Sequence, residues 1–253
     1  MIYVCVPSHN EAKTVGLLLW KVRQVFAEFP REYQLLVGDD ASTDGTREVL
    51  EPYAKVLPLE VVRNQKQEGT SRTIERLLKL ALERTDRPKR DAAVVLHADF
   101  THAVTALPEL IKKLDSGADL VVAEGSLGPD VARGYRMLRS WGQHLVPRAA
   151  RAPGVHDALS GFLATRLVCL RGAIRAGNDQ LLRLDGWAGR AELIAKLGRQ
   201  SRRTDVVSTP ERLDLRERAS RLDPWQEAKA IWRARAALRD LPPRARPGTE
   251  EAA

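Results

Sequence analysis

The chain has 253 residues, of which 43% are hydrophobic and 29% charged, and 41 Lys and Arg stand against 33 Asp and Glu for a formal net charge of +8. This is the balance of an ordinary soluble globular chain, and no apolar run approaches the roughly 18 residues of a membrane span. The basic surplus gathers in RGYRMLR, RQSRR and RERASR, but aromatics make up only 5% and no nucleic-acid motif accompanies it, so phosphate-bearing small molecules or an anionic surface are the partners expected, and nucleic acid is not.

Residues 2–6 (IYVCV) read as a buried strand ended by Pro7, and the polar turn Ser8-His9-Asn10-Glu11 follows. Asn10 is the expected N-cap of a helix over 12–29, where Leu17, Leu18, Val22, Val25 and Phe26 recur at helical spacing. The immediate entry into an apolar strand speaks against a secretory leader. Residues 33–37 form a second strand that stops at Gly38, and two carboxylates, Asp39 and Asp40, stand before the turn formers STDGT. Asp44 or Thr46 would cap the helix over 46–53. A third strand over 59–62 leads into Arg63-Asn64, and Ile74, Leu77, Leu78 and Ala81 mark one face of a helix over 73–83.

The same order continues. Residues 91–96 (DAAVVL) are a fourth strand running into His97-Ala98-Asp99; a helix over 108–114 precedes a fifth strand over 120–123 that closes at Glu124-Gly125-Ser126. Near-continuous apolar strands alternating with amphipathic helices imply an α/β fold, a mostly parallel sheet covered by helices on both faces. Beyond Gly128 the pattern changes: a basic helical stretch over 131–151, a polar turn region over 155–162, helices over 167–174 and 188–197, a last strand over 204–208 and an amphipathic helix over 224–238. The expected organisation is one α/β domain over 1–210, a C-terminal helical extension over 211–240 and a disordered tail over 241–253. Cys5 and Cys169 lack metal spacing and lie among apolar residues, as reduced core thiols of a cytosolic protein do.

Three polar clusters follow strands: His9-Asn10-Glu11, Asp39-Asp40 and His97-Ala98-Asp99. In a parallel sheet all three reach the same edge, where ligands bind. Several carboxylates there make a site for a metal and for hydrogen-bond donors such as hydroxyls and ring N–H groups. Oxygen ligands suit Mg²⁺ or Mn²⁺, which commonly bridge protein and a substrate diphosphate. No G-x-G-x-x-G or Walker sequence follows the first strand, which argues against a dinucleotide oxidoreductase or a P-loop NTPase.

PSHNE at 7–11, GDDASTDGT at 38–46, HAD at 97–99 and DALSGF at 157–162 together resemble the ordered motifs of family-two glycosyltransferases, nucleotide-sugar enzymes of the GT-A fold, and within them the dolichyl-phosphate mannose synthase-like group. The resemblance covers about residues 2–162 and fades beyond. It implies that Pro7, Asn10 and Glu11 line the nucleotide pocket, and that Asp40 with Asp39 holds the base and ribose. It also implies that Asp99 binds a divalent cation, Mn²⁺ or Mg²⁺, clamping the diphosphate. Arg136, four residues before Ser140, falls where the family carries a phosphate-binding arginine, and Asp157, Ser160 and Gly161 would shape the acceptor side. His97 stands where the family has aspartate. An imidazole there ligates Mn²⁺ more readily than Mg²⁺ and removes one negative charge; the alternative is an ordinary strand-end histidine. His9 replaces a customary tyrosine, and Leu127 stands where an arginine often follows Gly-Ser.

The function implied is transfer of a sugar from a nucleoside diphosphate sugar to a hydroxyl or to a phosphate such as a polyprenyl phosphate, by single displacement with inversion. A phosphate acceptor needs no strong base; for a hydroxyl, Asp157 is the candidate base. The competing reading is a nucleotide-sugar-binding protein that has lost catalysis. A nucleotidyltransferase would want a Gly-rich basic loop after the first strand, and PSHNE is not one. Trp225 and Trp232 with Arg233 and Arg235 make the terminal helix either a docking element for an anionic membrane or an ordinary helix packed on the domain. The location expected is the cytoplasm, with at most peripheral contact at the inner face of the membrane.

Overall fold

The structure, a computed structural model, describes residues 1–127, 131, 133–211 and 223–242. The elements run β1 (Ile2–Ser8), α1 (Val15–Glu28), β2 (Tyr33–Asp39), α2 (Thr46–Val56), β3 (Leu59–Arg63), α3 (Thr70–Arg84), β4 (Ala92–Val95), α4 (Leu107–Asp115), β5 (Leu120–Leu127), α5 (Arg133–Leu145), β6 (Leu163–Arg166), α6 (Leu167–Ala176), α7 (Gly186–Gln200), β7 (Thr204–Glu211) and α8 (Pro224–Arg239). The strands form one sheet in the order β3-β2-β1-β4-β6-β5-β7. All run parallel except β6, which is antiparallel to both β4 and β5.

Two apolar layers cover the sheet. Alternation along β1 sends Ile2, Val4 and Val6 to the face packed by α1 and α4, and Tyr3 and Cys5 to the face packed by α3, α6 and α7. A strand buried on both faces must be apolar at every position, and this is why β1, β2, β4 and β5 show as continuous runs. Cys5 and Cys169 are both free and buried.

Three expectations are corrected. Strand β6 lies directly after the polar turn region, where the sequence predicts no strand: four residues ending in Thr165-Arg166 carry no legible period, and neighbours β4 and β5 make it a strand. Pro7 does not end β1, which continues to Ser8 paired with Asp39. Asn10 is not a helix cap: α1 begins at Val15 with Thr14 at the N-cap. Asn10 sits at φ 52°, a left-handed position that asparagine tolerates better than most residues.

The terminal helix packs on the body. Ile231, Ala234 and Leu238 of α8 join Trp187, Ala188, Ala191 and Ala195 of α7 and Leu159 in a third apolar cluster, while Trp225 and Trp232 stay about 60% exposed, at 63% and 61%. The tail expected over 241–253 lies, from residue 243, outside the described residues, as do 212–222 of the proposed extension. Ile231→Ala is expected to cost about 2–5 kcal/mol, as deletion of fully buried methylenes does. Trp232→Ala should stay within about 0.5 kcal/mol. Urea denaturation followed by circular dichroism compares the two.

Candidate functional site

Strands β1, β2 and β4 are neighbours in register, so their carboxyl ends and the loops after them meet at one edge. Each of these loops turns through a non-glycine residue in the left-handed region: Asn10 (φ 52°), Ala41 (φ 54°) and Phe100 (φ 57°). Each such residue costs about 1–2 kcal/mol, and side-chain hydrogen bonds around each turn hold it. The Asn10 amide donates to Ser42 Oγ at 2.8 Å, and Asn10 Oδ1 accepts from the Thr43 amide at 2.7 Å. The Ser42 amide donates to Asp39 Oδ1 at 3.0 Å, and the Thr101 amide and hydroxyl donate to Asp99 Oδ1 at 3.1 and 2.5 Å.

A cleft opens at this edge. Pro7, Ser8, Glu11, Asp40, His97, Asp99, Gly161, Asp185 and Arg190 are among the residues that line it. Asp40 is buried, and its oxygens accept from the loop between β3 and α3: Oδ1 from Asn64 Nδ2 and the Glu68 amide, each at 2.8 Å, and Oδ2 from the Gly69 amide at 2.9 Å. Glu11 accepts from the Thr14 hydroxyl at 2.7 Å, and its amide donates to Thr46 Oγ1 at 2.9 Å. Asp44 accepts from the Thr46 amide at 3.0 Å and the Ala12 amide at 3.2 Å. Burial opposes ionisation of Asp44, but these bonds and the Thr46 hydroxyl outweigh it and lower its pKa. The Ser8 hydroxyl is buried in the cleft wall with no hydrogen-bond partner among the described residues.

The glycine of the DALSGF turn lets two side chains close over it. An alanine Cβ at Gly161 would stand 2.5 Å from His97 Nε2 and 3.1 Å from Arg190 Cζ. His102 lies behind, its ring 6.2 Å from His97 and 5.5 Å from Phe162. Burial, then the neighbouring His97, push the pKa of His102 well below its ordinary value, so it is neutral.

Beside the cleft lies a buried ion triad. Arg139 Nη2 donates to Asp157 Oδ2 at 2.9 Å and to Glu211 Oε1 at 3.2 Å, and its guanidinium stacks over Trp187 at 5.6 Å. Burial opposes the Arg139 charge, but the two carboxylates outweigh it and raise its pKa. The other oxygen of Asp157 accepts from Gln143 and from the Leu159 amide. Glu211 closes against Gly125, where a Cβ would overlap its carboxylate.

The structure therefore brings Pro7, Glu11, Asp40, His97 and Asp99 to one cleft, and does not bring Asn10, Asp39, Arg136 or Asp157 there. Asn10 and Asp39 brace the loops, Asp39 also pairing with Arg63 at 3.5 Å. Arg136 lies exposed on the first turn of α5, donating to the Val131 carbonyl at 3.4 Å. Sequence reading missed Ser8, Asp185, Arg190, Arg139 and Glu211. For Arg190 the sequence offers no distinguishing signal, because the same helix also carries Glu192, Lys196 and Arg199. Among the described residues no three His, Cys, Asp or Glu side chains converge as a ready-made metal centre. Asp99 and His97 do share the cleft, and a carboxylate with an imidazole is a donor pair that suits Mn²⁺.

A parallel sheet with one reversed strand and a polar cleft at its carboxyl edge defines a GT-A-like α/β domain. The chain belongs to glycosyl transferase family 2, whose model matches residues 3–171. It is similar to the dolichol-phosphate mannosyltransferase of Pyrococcus furiosus, 28% identical over 176 residues, 68% of this chain and 47% of that protein. It is also similar to the bactoprenol glucosyl transferase of Shigella phage SfX, 27% identical over 144 residues, 55% of this chain and 44% of that protein. The chain thus spans about half the length of the curated relatives it matches. Among solved structures, mannosyl-3-phosphoglycerate synthase from Rubrobacter xylanophilus superposes with TM-score 0.66 at 19% identity, covering 94% of this chain and 73% of that one. Glucosyl-3-phosphoglycerate synthase from Mycobacterium tuberculosis, in complex with Mn²⁺, UDP-glucose and phosphoglyceric acid, superposes with TM-score 0.62 at 19% identity, covering 94% and 78%.

Removing Arg139 strands two buried carboxylates. Arg139→Ala is expected to cost about 3–5 kcal/mol, read as a fall in the urea midpoint, with Asp157→Asn/Glu211→Gln in the same chain recovering part of the loss.

Proposed function

We propose that the cleft binds a nucleoside diphosphate sugar and that the protein transfers its hexosyl group, with inversion, to a phosphate acceptor. The observation that carries this reading is the meeting of the PSHNE, GDD and HAD stretches with the DALSGF turn around one cleft at the carboxyl edge of the sheet. Family membership supports the reaction class.

Pro7, Ser8, Glu11 and Asp40 form the nucleoside side. Asp40 already accepts three hydrogen bonds, which leaves one acceptor position of the roughly four on a carboxylate for a base or ribose donor. Asn10 and Asp39 act behind it, holding the two loops in their left-handed turns. Asp99 and His97 are the residues that would hold a divalent cation. When bound, such a cation supplies positive charge to the leaving diphosphate. The acceptor oxygen attacks the anomeric carbon from the face opposite the diphosphate, and the bond from that carbon to the diphosphate oxygen breaks.

The choice of a phosphate acceptor is favoured by the state of Asp157, the candidate base of the sequence. Both its oxygens are engaged by Arg139, Gln143 and the Leu159 amide, away from the cleft, so it positions the turn and is not the proton acceptor that a hydroxyl would need. A phosphate oxygen is already anionic and needs no base. A polyprenyl phosphate fits this chemistry, and the names of the dolichol-phosphate and bactoprenol relatives point the same way. None of the helices among the described residues is long and apolar enough to cross a membrane; exposed Trp225 and Trp232 suit contact with a lipid surface.

A thermal-shift screen of nucleotide sugars with Mn²⁺ tests the donor site, since a ligand at 100 times its Kd raises stability by about 2.7 kcal/mol. With the donor found, Asp99→Asn is expected to lower kcat/KM for transfer by 100-fold or more, on the order of one lost transition-state contact. Wild-type activity in that variant removes Asp99 from the mechanism, and stabilisation by nucleotide sugars with no turnover on any phosphate acceptor supports the binding-protein alternative.

A further inference from the structure

The two arginines of this region differ in their counter-charges. Arg139 is matched by two carboxylates. Arg190 of α7, only partly buried, lines the cleft beside His97 and above Gly161. Its one hydrogen bond is a long one to the Leu159 carbonyl at 3.5 Å, and no carboxylate of the described residues forms an ion pair with it. Burial, and after it the like charge of Arg139, disfavour its cationic form, and Asp99 and Glu211 offset this in part from a distance. An arginine nevertheless stays protonated in proteins. The cleft therefore contains a permanent, partly desolvated cation that faces open space, a costly arrangement without an anion.

The same wall contains His97 at the position where the resemblance expects aspartate. Replacing a carboxylate by a neutral imidazole and adding a guanidinium shift the charge of the cleft in the same direction, toward anion binding. We infer that Arg190 anchors the diphosphate of the donor, so that nucleoside diphosphates bind this protein without a divalent cation. The inference rests on the donor-site reading above and names the group that holds the phosphates. A guanidinium fork matches two phosphate oxygens at once and needs no metal to do so. Asp99 and His97 can still take up Mn²⁺, which then adds to an affinity already present.

Calorimetric titration of UDP, GDP, uridine and guanosine into the wild-type protein, Arg190→Gln and Asp99→Asn, each in EDTA and in Mn²⁺, tests this. Wild-type protein is expected to bind UDP or GDP in EDTA. Arg190→Gln should weaken that binding about 10–150-fold, the range for losing a hydrogen bond to a charged group, and leave affinity for the matching nucleoside unchanged. Asp99→Asn should keep the EDTA affinity. The melting temperature of Arg190→Gln should not fall, because no ion pair is lost. Undiminished diphosphate binding by Arg190→Gln, an equal loss for nucleoside and diphosphate, or wild-type binding that appears only with Mn²⁺ overturns the inference while leaving the donor site intact. Wild-type protein that binds no nucleotide under either condition overturns the donor site and this inference together.

Discussion

The cleft depends on the Asp40 carboxylate, which sits at the end of β2 and gathers the chain that follows β3. Its three hydrogen bonds, to Asn64, Glu68 and Gly69, draw the β3–α3 loop against the sheet edge and so place Thr70 and Ser71, the start of α3, on the cleft wall. Charge-assisted bonds from backbone amides to a buried carboxylate are about twice as strong as neutral ones. The same device recurs: Asp39 takes the Ser42 amide, Asp44 those of Thr46 and Ala12, and Glu124 those of His156 and Asp157. Loops that carry ligand-binding groups have few apolar contacts to hold them. Here carboxylates supply the hold, Asp39 and Asp40 from buried positions and Asp44 from an exposed one.

This usage separates two kinds of acid that look alike in a sequence. Asp39 and Asp40 are adjacent, yet one braces a turn and the other faces the cleft, because successive residues leaving a strand point to opposite sides. Asp157 resembles a catalytic acid by motif and serves as a partner for Arg139. Asp99 is the acid that reaches the cleft from a turn held by Thr101, beside a histidine rather than a second carboxylate.

Much of the fold was legible because the buried parallel strands leave unbroken apolar runs. The runs at 2–6, 33–37, 91–96 and 120–123 each match a strand, and the polar cluster after the first, second and fourth reaches the cleft. What escaped reading shares one property: its place is set by tertiary pairing. Strand β6 is four residues that form a strand because β4 and β5 flank them. Arg139 and Glu211 lie 72 residues apart and meet only in the folded chain. Arg190 lies on a helix whose pattern announces burial, and nothing local shows that one turn of it faces a cleft.

The position of Arg190 is itself set by distant acids, and this makes α8 more than an appendage. Helix α7 is entered through residues 181–184. Glu75 of α3 accepts the amides of Leu181 and Leu182 at 2.9 and 3.1 Å, and Glu192 of α7 accepts those of Arg183 and Leu184 at 2.8 and 2.9 Å. Asp185 then accepts the Ser71 amide at 3.0 Å, and Glu227 of α8 accepts the Trp187 amide at 2.6 Å. Glu227 packs so closely on Gly186 that a Cβ there would overlap its carboxylate, and at φ 59° glycine is the residue suited to the site. Burial raises the pKa of Glu227 despite the bond from Trp187, so this contact is held at a cost in desolvation. The first turn of α7 is thereby pinned between α3 and α8, one turn before Arg190. Helix α8 thus packs against the first turn of α7, the helix that carries Arg190 to the cleft.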